Sequence, residues 1–563
     1  MAYGWLFNWS DPVNNPNENV RIYAVRAIVE QHSYAIGQRV REASGQTTDR
    51  SPLTDQYVND KALVCTEADH KAPDCEGLLY AAKAPGMAFV GVLPHLALRS
   101  TYRLLTKTEP PRGVVVWWLR LTCVILPTLL AWLWLAQHLT RRVRDPRLAL
   151  AVVLCAALGS LSLTYGQMFA GHQPAGLALL LCYGAVLAAG RRAPRPDPGL
   201  APTADRGRRF VAGAAFAGAW ATLIEFPAGP PAFLLLGWLL WRRRNVRDLG
   251  WLTLGAALPV ALLAHHNTVA FGAPWRMAYG FLENPDFVRD MAPGVFGISL
   301  PTSEKLFGSL LSPFTGLYFW APWTLLAWLG VLAYRRREQT PAMQSGLARA
   351  DREDALVAWL ICLYFLYFQC SQALWRGGWV LGPRYVTALV PFAAIAAAHG
   401  LAALRGSAGG LGRLALAVAG PIAIAFTGLA SAVSQGFPFA FYNPLVEAVA
   451  PLLAHGYVAR NPAMALGIPG PWSALPYFVA LAAGALWVVW LAVPAAQPLP
   501  SRLASAALAL LLAFAGGGAL WHAGPGRTPA TDAEVRFLMA SWTPPKPPGS
   551  RPLPPPAPPP ENR

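Results

Sequence analysis

The stretch that decides the fold runs from residue 113 to residue 138 and reads GVVVWWLRLTCVILPTLLAWLWLAQH. It is almost entirely apolar, and as a helix it is long enough to cross a hydrocarbon layer about 30 Å thick. The basic segment LTRRVRDPR follows at residues 139–147. An apolar run followed by a cluster of arginines is typical of a transmembrane helix that ends in the cytoplasm.

The composition of the whole chain is that of a protein that lies in lipid. Its 563 residues are 54% hydrophobic and 13% charged, whereas a soluble domain has about 25% charged residues. The net charge of +17 would also suit a nucleic-acid-binding protein. The positions of Lys and Arg decide between these two classes.

Similar apolar runs recur along the chain and predict an all-α polytopic membrane protein with about twelve transmembrane helices. The shortest, 229–241, needs neighbouring residues to complete it. We place the spans at residues 113–138, 148–168, 173–190, 210–227, 229–241, 249–270, 315–334, 355–371, 386–404, 412–433, 475–496 and 503–521.

The basic residues of the loops predict the orientation. Alternate loops, beginning with 139–147, contain 22 of the 46 Lys and Arg residues, whereas the intervening loops, longer in total, contain six. Because cytoplasmic loops carry the excess of Lys and Arg, the first set is cytoplasmic and both chain ends lie outside. We therefore expect a multi-pass protein of the bacterial inner membrane, with its active site facing the periplasm and no nucleic-acid partner.

Residues 1–112 are predicted to form an external first loop with juxtamembrane helices, ahead of a transmembrane domain at 113–521. Their 12 Lys and Arg balance 12 Asp and Glu. The first ten residues lack the features of a signal peptide. We expect a preceding anchor helix, which would give thirteen spans; alternatively, span 113–138 itself directs translocation of the N-terminus.

Two smaller features complete the predicted organisation. Cys65 and Cys75 lie together in the external segment, where an oxidising periplasm would allow a short disulfide-bonded loop. Residues 522–563 end in TPPKPPGSRPLPPPAPPPENR. This Pro-rich composition predicts a disordered external tail.

The external segment offers candidates for acid–base and phosphate chemistry. Glu18 lies in the first turn of a predicted helix, three residues before Arg21, and is a candidate general base; alternatively, it only complements the helix dipole. Asp60-Lys61 and Lys83-Ala84-Pro85-Gly86 follow, and Lys83 precedes a short apolar helix at 85–98. We expect this helix at the outer interface, where Lys83 meets phosphate groups or serves as an interfacial anchor.

Ionisable and aromatic side chains also collect at the predicted outer ends of the spans. Such groups are costly within a span, so each predicts either a functional role or a hydrogen-bonded packing role. Arginine suits phosphate oxygens and tryptophan suits sugar rings, although an interfacial aromatic belt is the alternative for residues 375–379. The group comprises His172, Glu225, His265, Asn267, Trp375, Arg376, Trp379, Arg384 and Tyr385.

Other chemistries find little support. The sequence contains no Walker loop, His-Glu-x-x-His motif, Cys-x-x-Cys pair or Gly-x-Ser-x-Gly elbow. We therefore expect that no cofactor is required. A divalent metal at His265 and His266 would have to join adjacent histidines, which point in different directions on a helix.

Taken in order, these motifs resemble those of bacterial integral-membrane glycosyltransferases of the GT-C superfamily. The nearer relatives are dolichyl-phosphate-mannose-protein-mannosyltransferase-like proteins, and the aminoarabinose transferases of lipid A are more distant. The resemblance covers nearly the whole chain outside the Pro-rich tail. Its motifs are Asn17-Glu18-x-x-Arg21, Asp60-Lys61-Ala62, Lys83-Ala84-Pro85-Gly86, Phe-x-Gly-His172, Glu225-Phe226-Pro227, Phe271-Gly272-x-Pro274 and Gly377-Gly378-Trp379-x-x-Gly382-Pro383-Arg384-Tyr385.

The resemblance implies a GT-C-type bundle with a cytoplasmic start, an acidic residue in the first external loop, and a Lys-Pro-Pro-like turn that contacts polyprenyl phosphate. That turn is Lys83-Ala84-Pro85 here, which keeps the charge and one proline. The family's acidic pair is Asn17-Glu18, so the catalytic acid falls to Glu18 or Asp11. The expected ligands of the donor phosphate are Lys83, Arg384, Arg376 and Lys61.

The expected function is transfer of a hexose or pentose from a polyprenyl-phosphate carrier to an acceptor protein, lipid or glycan at the outer face of the membrane. A non-catalytic scaffold of the same fold and a lipid or solute transporter are the alternatives. The residues expected to line the substrate cavity are Arg21, Asp60, His172, Glu225, His265, Asn267, Trp375, Trp379 and Tyr385.

Overall fold

The predicted all-α polytopic architecture is confirmed, with one small sheet in addition. Asp11 lies outside the described residues. The computed structural model describes residues 1–8, 15–51, 53, 58–66, 75–190, 204–294, 297–335, 346–542 and 546–553.

Helices follow one another along almost the whole described chain. Short 3₁₀ segments lie at Phe226–Ala228, Ala278–Phe281, Pro322–Leu329, Arg384–Leu389 and Pro462–Leu466, and π-helical segments at Leu121–Ile125 and Leu445–Val449. The α-helices in these residues are α1 (Pro16–Gln31), α2 (Gly86–Thr106), α3 (Arg112–Arg120), α4 (Leu126–Arg142), α5 (Pro146–Leu158), α6 (Leu161–Tyr165), α7 (His172–Gly190), α8 (Ala204–Ile224), α9 (Gly229–Arg243), α10 (Asp248–Phe271), α11 (Pro285–Met291), α12 (Ser303–Leu310), α13 (Leu317–Trp320), α14 (Gly330–Arg335), α15 (Gly346–Ser371), α16 (Val390–Ala403), α17 (Gly406–Val433), α18 (Ala450–Ala454), α19 (Gly470–Ser473), α20 (Leu475–Ala492), α21 (Leu499–Trp521) and α22 (Pro529–Ala540).

Among the described residues, eight helical stretches are long and apolar enough to cross a membrane, and they coincide with eight of the twelve predicted spans. The other four predicted spans differ: 148–168 divides into α5 and α6, 315–334 divides at a 3₁₀ segment, and 229–241 corresponds to the 15-residue α9. Span 210–227 corresponds to α8, which has 21 residues but begins with the charged sequence ADRGRR. The eight stretches are Arg112–Arg142, His172–Gly190, Asp248–Phe271, Arg352–Ser371, Arg384–Ala403, Gly406–Val433, Leu475–Ala492 and Leu499–Trp521.

The outward faces of these helices are apolar. In the most apolar 18-residue stretch of α10, only 11% is buried inside the protein, and the same fraction is buried in the corresponding stretch of α21. Leu254 on α10 and Phe514 on α21 are 62% and 84% exposed. Faces of this size and composition need lipid around them, so the chain is a multi-pass membrane protein.

The predicted cytoplasmic loops meet at one end of the bundle. Arg413, at the start of α17, pairs with Asp145, which caps the start of α5. Arg243 Nη1 donates to the carbonyl of Ala189 at the end of α7 (2.7 Å), and its Nε donates to Asp248 at the start of α10 (2.6 Å). Alternate loops therefore share an end, as the loop charges predict; which compartment this end faces stays a prediction.

The predicted external segment contains a small sheet that its sequence did not indicate. Strands β1 (Ala35–Arg41), β2 (Thr47–Arg50), β3 (Lys61–Cys65) and β4 (Gly77–Ala81) pair antiparallel in the order β2-β1-β4-β3. The predicted disulfide joins Cys65 and Cys75. This disulfide lies at the loop end of the β3–β4 hairpin. At the opposite end of the hairpin, Asp60 precedes β3 and Lys83 follows β4.

The two helices of this segment pack on each other through a charge network at Glu30. His95 on α2 is fully buried, and its Nε2 lies 2.9 Å from Glu30 Oε1, which also accepts from Arg26 Nε at 2.9 Å. Burial opposes ionisation of Glu30, but the hydrogen bonds from His95 and Arg26 outweigh it and lower the pKa of Glu30 from 4.5 to about 2.

We therefore expect the α1–α2 contact to weaken in acid. A depressed folded-state pKa contributes stability above the unfolded value near 4.5, and that contribution is lost as the pH falls towards about 2. Glu30→Gln should lower the thermal unfolding midpoint at pH 7 and change it little at pH 2. An equal loss at both pH values would contradict this account, and Glu42→Gln, on the exposed Arg50 pair, is the control.

The prediction of a disordered tail is wrong for residues 522–542 and 546–553. Helix α22 begins at a capping box formed by Thr528 and Thr531. Val535 and Leu538 of this helix are buried. Further along, Arg551 N donates to the carbonyl of His455 at 2.8 Å. Pro-rich composition concealed this short amphipathic segment; residues 554–563 lie outside the described part of the chain.

Candidate functional site

Six ionisable side chains from distant parts of the sequence converge where α1, α2, α7, α8 and the Arg384–Leu389 segment meet. Direct contacts join four of them into two pairs, and electrostatic interactions connect the pairs with the remaining two. All six belong to the predicted site residues. This charge cluster comprises Arg21, Asp60, Lys83, His172, Glu225 and Arg384.

Helix α1 contributes Arg21. Asn15 caps this helix, with its side chain accepting from Asn17 N, and Pro16 occupies the first helical position. The Arg21 guanidinium is 2% exposed; its Nη2 donates to Glu225 Oε1 at 2.6 Å, and Asn17 accepts from its Nη1. Asn17 thus holds the arginine that binds Glu225.

The hairpin delivers Asp60 and Lys83 as a pair. Lys61 lies opposite Ala81 in the register, and Ala82 N donates to Asp60 O at 2.9 Å. Asp60 and Lys83 therefore leave the two strands side by side, and Lys83 Nζ lies 2.9 Å from Asp60 Oδ1. The chain can then enter α2 against α8 because residue 86 is glycine: a Cβ there would lie 2.6 Å from Ile224 N.

Arg384 is the cation of the cluster that lacks a close carboxylate. Its Nη2 lies 3.4 Å from Tyr385 Oη and its guanidinium carbon 5.2 Å from the centre of the Tyr385 ring. Its buried Nε has no hydrogen-bond partner in the described part of the chain. Asp60 acts on Arg384 electrostatically, but no described carboxylate forms an ion pair with it. Arg384 is therefore available to an anionic ligand.

His172 begins α7 and lies between two tyrosine rings. The ring centres of Tyr165 and Tyr385 are 5.9 and 5.7 Å from that of the imidazole, both nearly perpendicular to it. His172 Nδ1 is 3.7 Å from Glu225 Oε1. Gly171 permits this approach, because a Cβ at that position would collide with the Glu225 carboxylate.

Tyr279 belongs beside the cluster although it is absent from the predicted site residues. Its ring centre lies 6.1 Å from that of Phe226, next to Glu225, and the phenol interacts electrostatically with Glu225, Arg21 and Asp60. Burial, and then the charge of Glu225, raise the pKa of Tyr279. The available signal was its position in the loop that follows the Phe271-Gly272-x-Pro274 motif.

Glu18, the predicted general base, lies outside the cluster. It is fully buried, and Arg120 donates from Nε to its Oε1 at 2.7 Å and from Nη2 to its Oε2 at 2.5 Å. Phe169 N also donates to Oε1, at 2.6 Å. Both oxygens are therefore occupied inside the protein, and the role of Glu18 as general base stays a prediction that this geometry disfavours.

The other predicted site residues occupy separate positions. Lys61 pairs with Asp49. His265 Nδ1 accepts from or donates to Tyr34 Oη at 2.9 Å, and Asn267 Nδ2 donates to Pro274 O at 3.2 Å. These three side chains are not among the six that form the charge cluster.

The tryptophans of the outer loop also lie apart. Trp375 packs on Gly308, and the exposed Arg376 stacks on Trp375, with the guanidinium carbon 5.0 Å from its ring centre. Trp379 contacts Phe537 of α22, ring centre to ring centre at 6.2 Å. They hold the loop that precedes Arg384 in place. Of the two predicted arginines in this loop, only Arg384 reaches the cluster.

Among the described residues, no group of three or more His, Cys, Asp or Glu side chains is placed to hold a metal ion. That the protein requires no cofactor stays a prediction.

Comparison with known proteins gives distant structural similarity. The crystal structures of ArnT from Cupriavidus metallidurans, in the apo state and bound to undecaprenyl phosphate, are 15% and 16% identical in sequence to this chain, each with a TM-score of 0.42 over 92% of this chain and 74% of theirs. The apo oligosaccharyltransferase from Archaeoglobus fulgidus is 12% identical, with a TM-score of 0.39 over 79% of this chain and 56% of its own. No family model and no curated protein matches the chain.

ArnT, an aminoarabinose transferase, and the oligosaccharyltransferase are members of the GT-C superfamily that the sequence motifs resemble. At identities of 16% or less and TM-scores near 0.4, the likeness is distant. The function of this chain has to be argued from the side chains of the charge cluster.

Proposed function

We propose that this protein is a membrane glycosyltransferase that takes a sugar from a polyprenyl-phosphate carrier and transfers it to an acceptor hydroxyl at the outer face of the inner membrane. The observation that carries the proposal is the charge cluster, in which Arg384 has no ion-pair partner among the described residues. The fold brings it together from five separate segments.

The charges of the cluster suit a phosphate ligand. Arg21, Lys83 and Arg384 supply three positive charges, whereas Asp60 and Glu225 supply two negative charges. One positive charge therefore remains, and it is partly buried, where an ionic hydrogen bond is stronger than in water. As the glycosidic bond to phosphate breaks, negative charge grows on the phosphate oxygens, and fixed cations stabilise it in the transition state.

The position of the cluster suits a carrier with a lipid tail. Helix α2 follows Lys83 directly, and its Leu93 and Leu104 are 74% and 73% exposed. An amphipathic helix of this kind lies in the headgroup layer of a membrane. A phosphate at Lys83 therefore sits where a carrier can keep its hydrocarbon tail in the bilayer.

In this proposal a residue of the charge cluster, and not Glu18, accepts the proton of the acceptor hydroxyl. The acceptor hydroxyl must lose its proton as it attacks the anomeric carbon, and the cluster offers Asp60, Glu225 and His172 as proton acceptors. Phe226, Tyr279 and Tyr385 place aromatic rings beside them, and such rings suit the faces of sugars. Single displacement would invert the configuration at the anomeric carbon.

Arg384 and Arg376 provide a matched test, since the two arginines belong to one loop and only Arg384 reaches the cluster. We expect Arg384→Gln to weaken binding of undecaprenyl phosphate to the purified protein in nanodiscs by roughly 10- to 150-fold, because an ionic hydrogen bond contributes about 1.5–3 kcal/mol. Arg376→Gln should bind as the wild type does. Equal affinities for all three proteins would contradict the proposal.

Transfer itself is measured with radiolabelled polyprenyl-phosphate sugars and a membrane extract as the source of acceptor. Sugar release by the wild type supports an enzyme. Binding of undecaprenyl phosphate without sugar release would instead identify a scaffold, and movement of solute or lipid across a vesicle bilayer would identify a transporter.

A further inference from the structure

The imidazole of His172 is buried between two aromatic rings. The side chain is 6% exposed, and rings from two elements, Tyr165 of α6 and Tyr385 of the Arg384–Leu389 segment, contact it edge to face with interplanar angles of 87° and 85°. These contacts fix the plane of the ring. Nδ1 faces Glu225, and Nε2 is buried without a hydrogen-bond partner in the described part of the chain.

We infer that His172 Nε2 accepts the proton of the acceptor hydroxyl and that Glu225 positions the imidazole for this step. The inference rests on the proposed function and names the base of the same site. With Nδ1–H directed at the Glu225 carboxylate, the lone pair of the ring is on Nε2. The distance from His172 Nδ1 to Glu225 Oε1 is 3.7 Å. Contacts of this kind are often long in acid–base sites without substrate, and they shorten once substrate binds.

The cations around the imidazole disfavour its protonation until an anion is bound among them, so the ring is neutral beforehand. Three cations act on it: Arg21 from α1, Lys83 from the turn before α2, and Arg384. Glu225, after α8, is the carboxylate that faces it, and its charge is shared with Arg21 at 2.6 Å. A neutral ring in cationic surroundings accepts a proton in the same step in which the bound phosphate gains negative charge, so the total charge of the site is unchanged.

The step balances in atoms and electrons. The acceptor oxygen forms a bond to the anomeric carbon while the bond from that carbon to the carrier's phosphate oxygen breaks. The bonding pair leaves with the phosphate, which becomes a phosphomonoester held by Lys83 and Arg384. The hydroxyl proton moves to Nε2 of His172 and is later released to water or to the departing phosphate.

The same geometry distinguishes His172 from the two carboxylates. Asp60 is engaged by Lys83 at 2.9 Å, and Glu225 by Arg21 at 2.6 Å. Each carboxylate thus has one oxygen held in an ion pair. His172 Nε2 is buried without a hydrogen-bond partner in the described part of the chain, so its lone pair is available to an acceptor hydroxyl.

The test uses full-length protein in nanodiscs and a polyprenyl-phosphate sugar that the wild type consumes. His172→Gln should lower kcat by roughly 10²- to 10⁴-fold, the usual contribution of a general base, while binding undecaprenyl phosphate within about twofold of the wild type. Glu225→Gln should lower kcat by tenfold or more and alter its pH profile. His522→Gln, at an exposed position directly after α21, should leave kcat unchanged.

Other outcomes overturn specific parts. If His172→Gln and His172→Asn both keep the wild-type kcat, or if Asp60→Asn alone removes the base-dependent limb of the pH profile, His172 is not the base and the glycosyltransferase proposal stands. Loss of undecaprenyl phosphate binding in both His172 variants would make His172 a structural residue. A wild type that binds the lipid but releases no sugar would overturn the proposed function and this inference together.

Discussion

Glu18→Gln is expected to destabilise the protein by about 3–5 kcal/mol, because it would leave Arg120 as a buried charge without its counter-ion. Arg120 lies within the first span, 2% exposed, and makes two hydrogen bonds of 2.7 and 2.5 Å to Glu18. Water is not available at this position to solvate the abandoned guanidinium. The readout is the thermal unfolding midpoint of purified protein in detergent.

The double variant Glu18→Gln with Arg120→Met should recover much of the loss, since removal of both charges avoids the unpaired one. Asp532→Asn is the matched control because its pair with Arg527 is partly exposed, where such pairs contribute about 0–1 kcal/mol. An unchanged midpoint in the single variant would refute the account. If Glu18→Gln folds normally but has lost all transfer activity, Glu18 is a catalytic residue after all.

Gly171→Ala is expected to reduce transfer by about 10²-fold, because a methyl group at this position would occupy the place of the Glu225 carboxylate. Glu225 would have to turn away, and its contacts with Arg21 and His172 would be lost together. Displacement of a catalytic group by about 1 Å is enough for a loss of this size. Initial rates measured on equal amounts of folded protein give the answer.

Gly86→Ala should act on stability as well, since its methyl group would meet the backbone of Leu223 and Ile224 at 2.6 Å. Overpacking against backbone costs about 1–3 kcal/mol. Gly213→Ala, in α8 with no heavy atom within 4 Å of the added carbon, should be neutral or slightly stabilising. Wild-type rates in the Gly171 variant would show that the Glu225 carboxylate need not lie against residue 171.

Much of the site could be predicted from sequence because its residues share a topological property. His172, Glu225 and Arg384 each stand at the end of an apolar run, and the distribution of arginines assigns those ends to one side. Lys83 directly precedes the predicted interfacial helix, and Asp60 lies earlier in the same predicted external segment. Apolar runs and loop charges therefore predict which residues lie at the same end of the helix bundle. Folding then places the residues of that end close to one another.

The sequence does not predict which arginine forms an ion pair with which carboxylate. Glu18 and Glu225 both look like a carboxylate near the outer face, and only the fold shows that Arg120 engages the first and Arg21 the second. The sheet was missed because β3 and β4 are five residues each, too short for alternation to stand out from the apolar background. In the tail, the prolines outweighed the apolar positions of α22.

The contacts of Trp379 have a consequence for how the protein is made. Its carbonyl accepts from Asn15 Nδ2 at 3.2 Å, near the start of the chain, and its ring packs on Phe537, near the end. Translation delivers these partners more than five hundred residues apart, so the loop that carries Arg384 lacks its full support until Phe537 has been synthesised. Docking of Phe537 on Trp379 is therefore a late step in the folding of this loop.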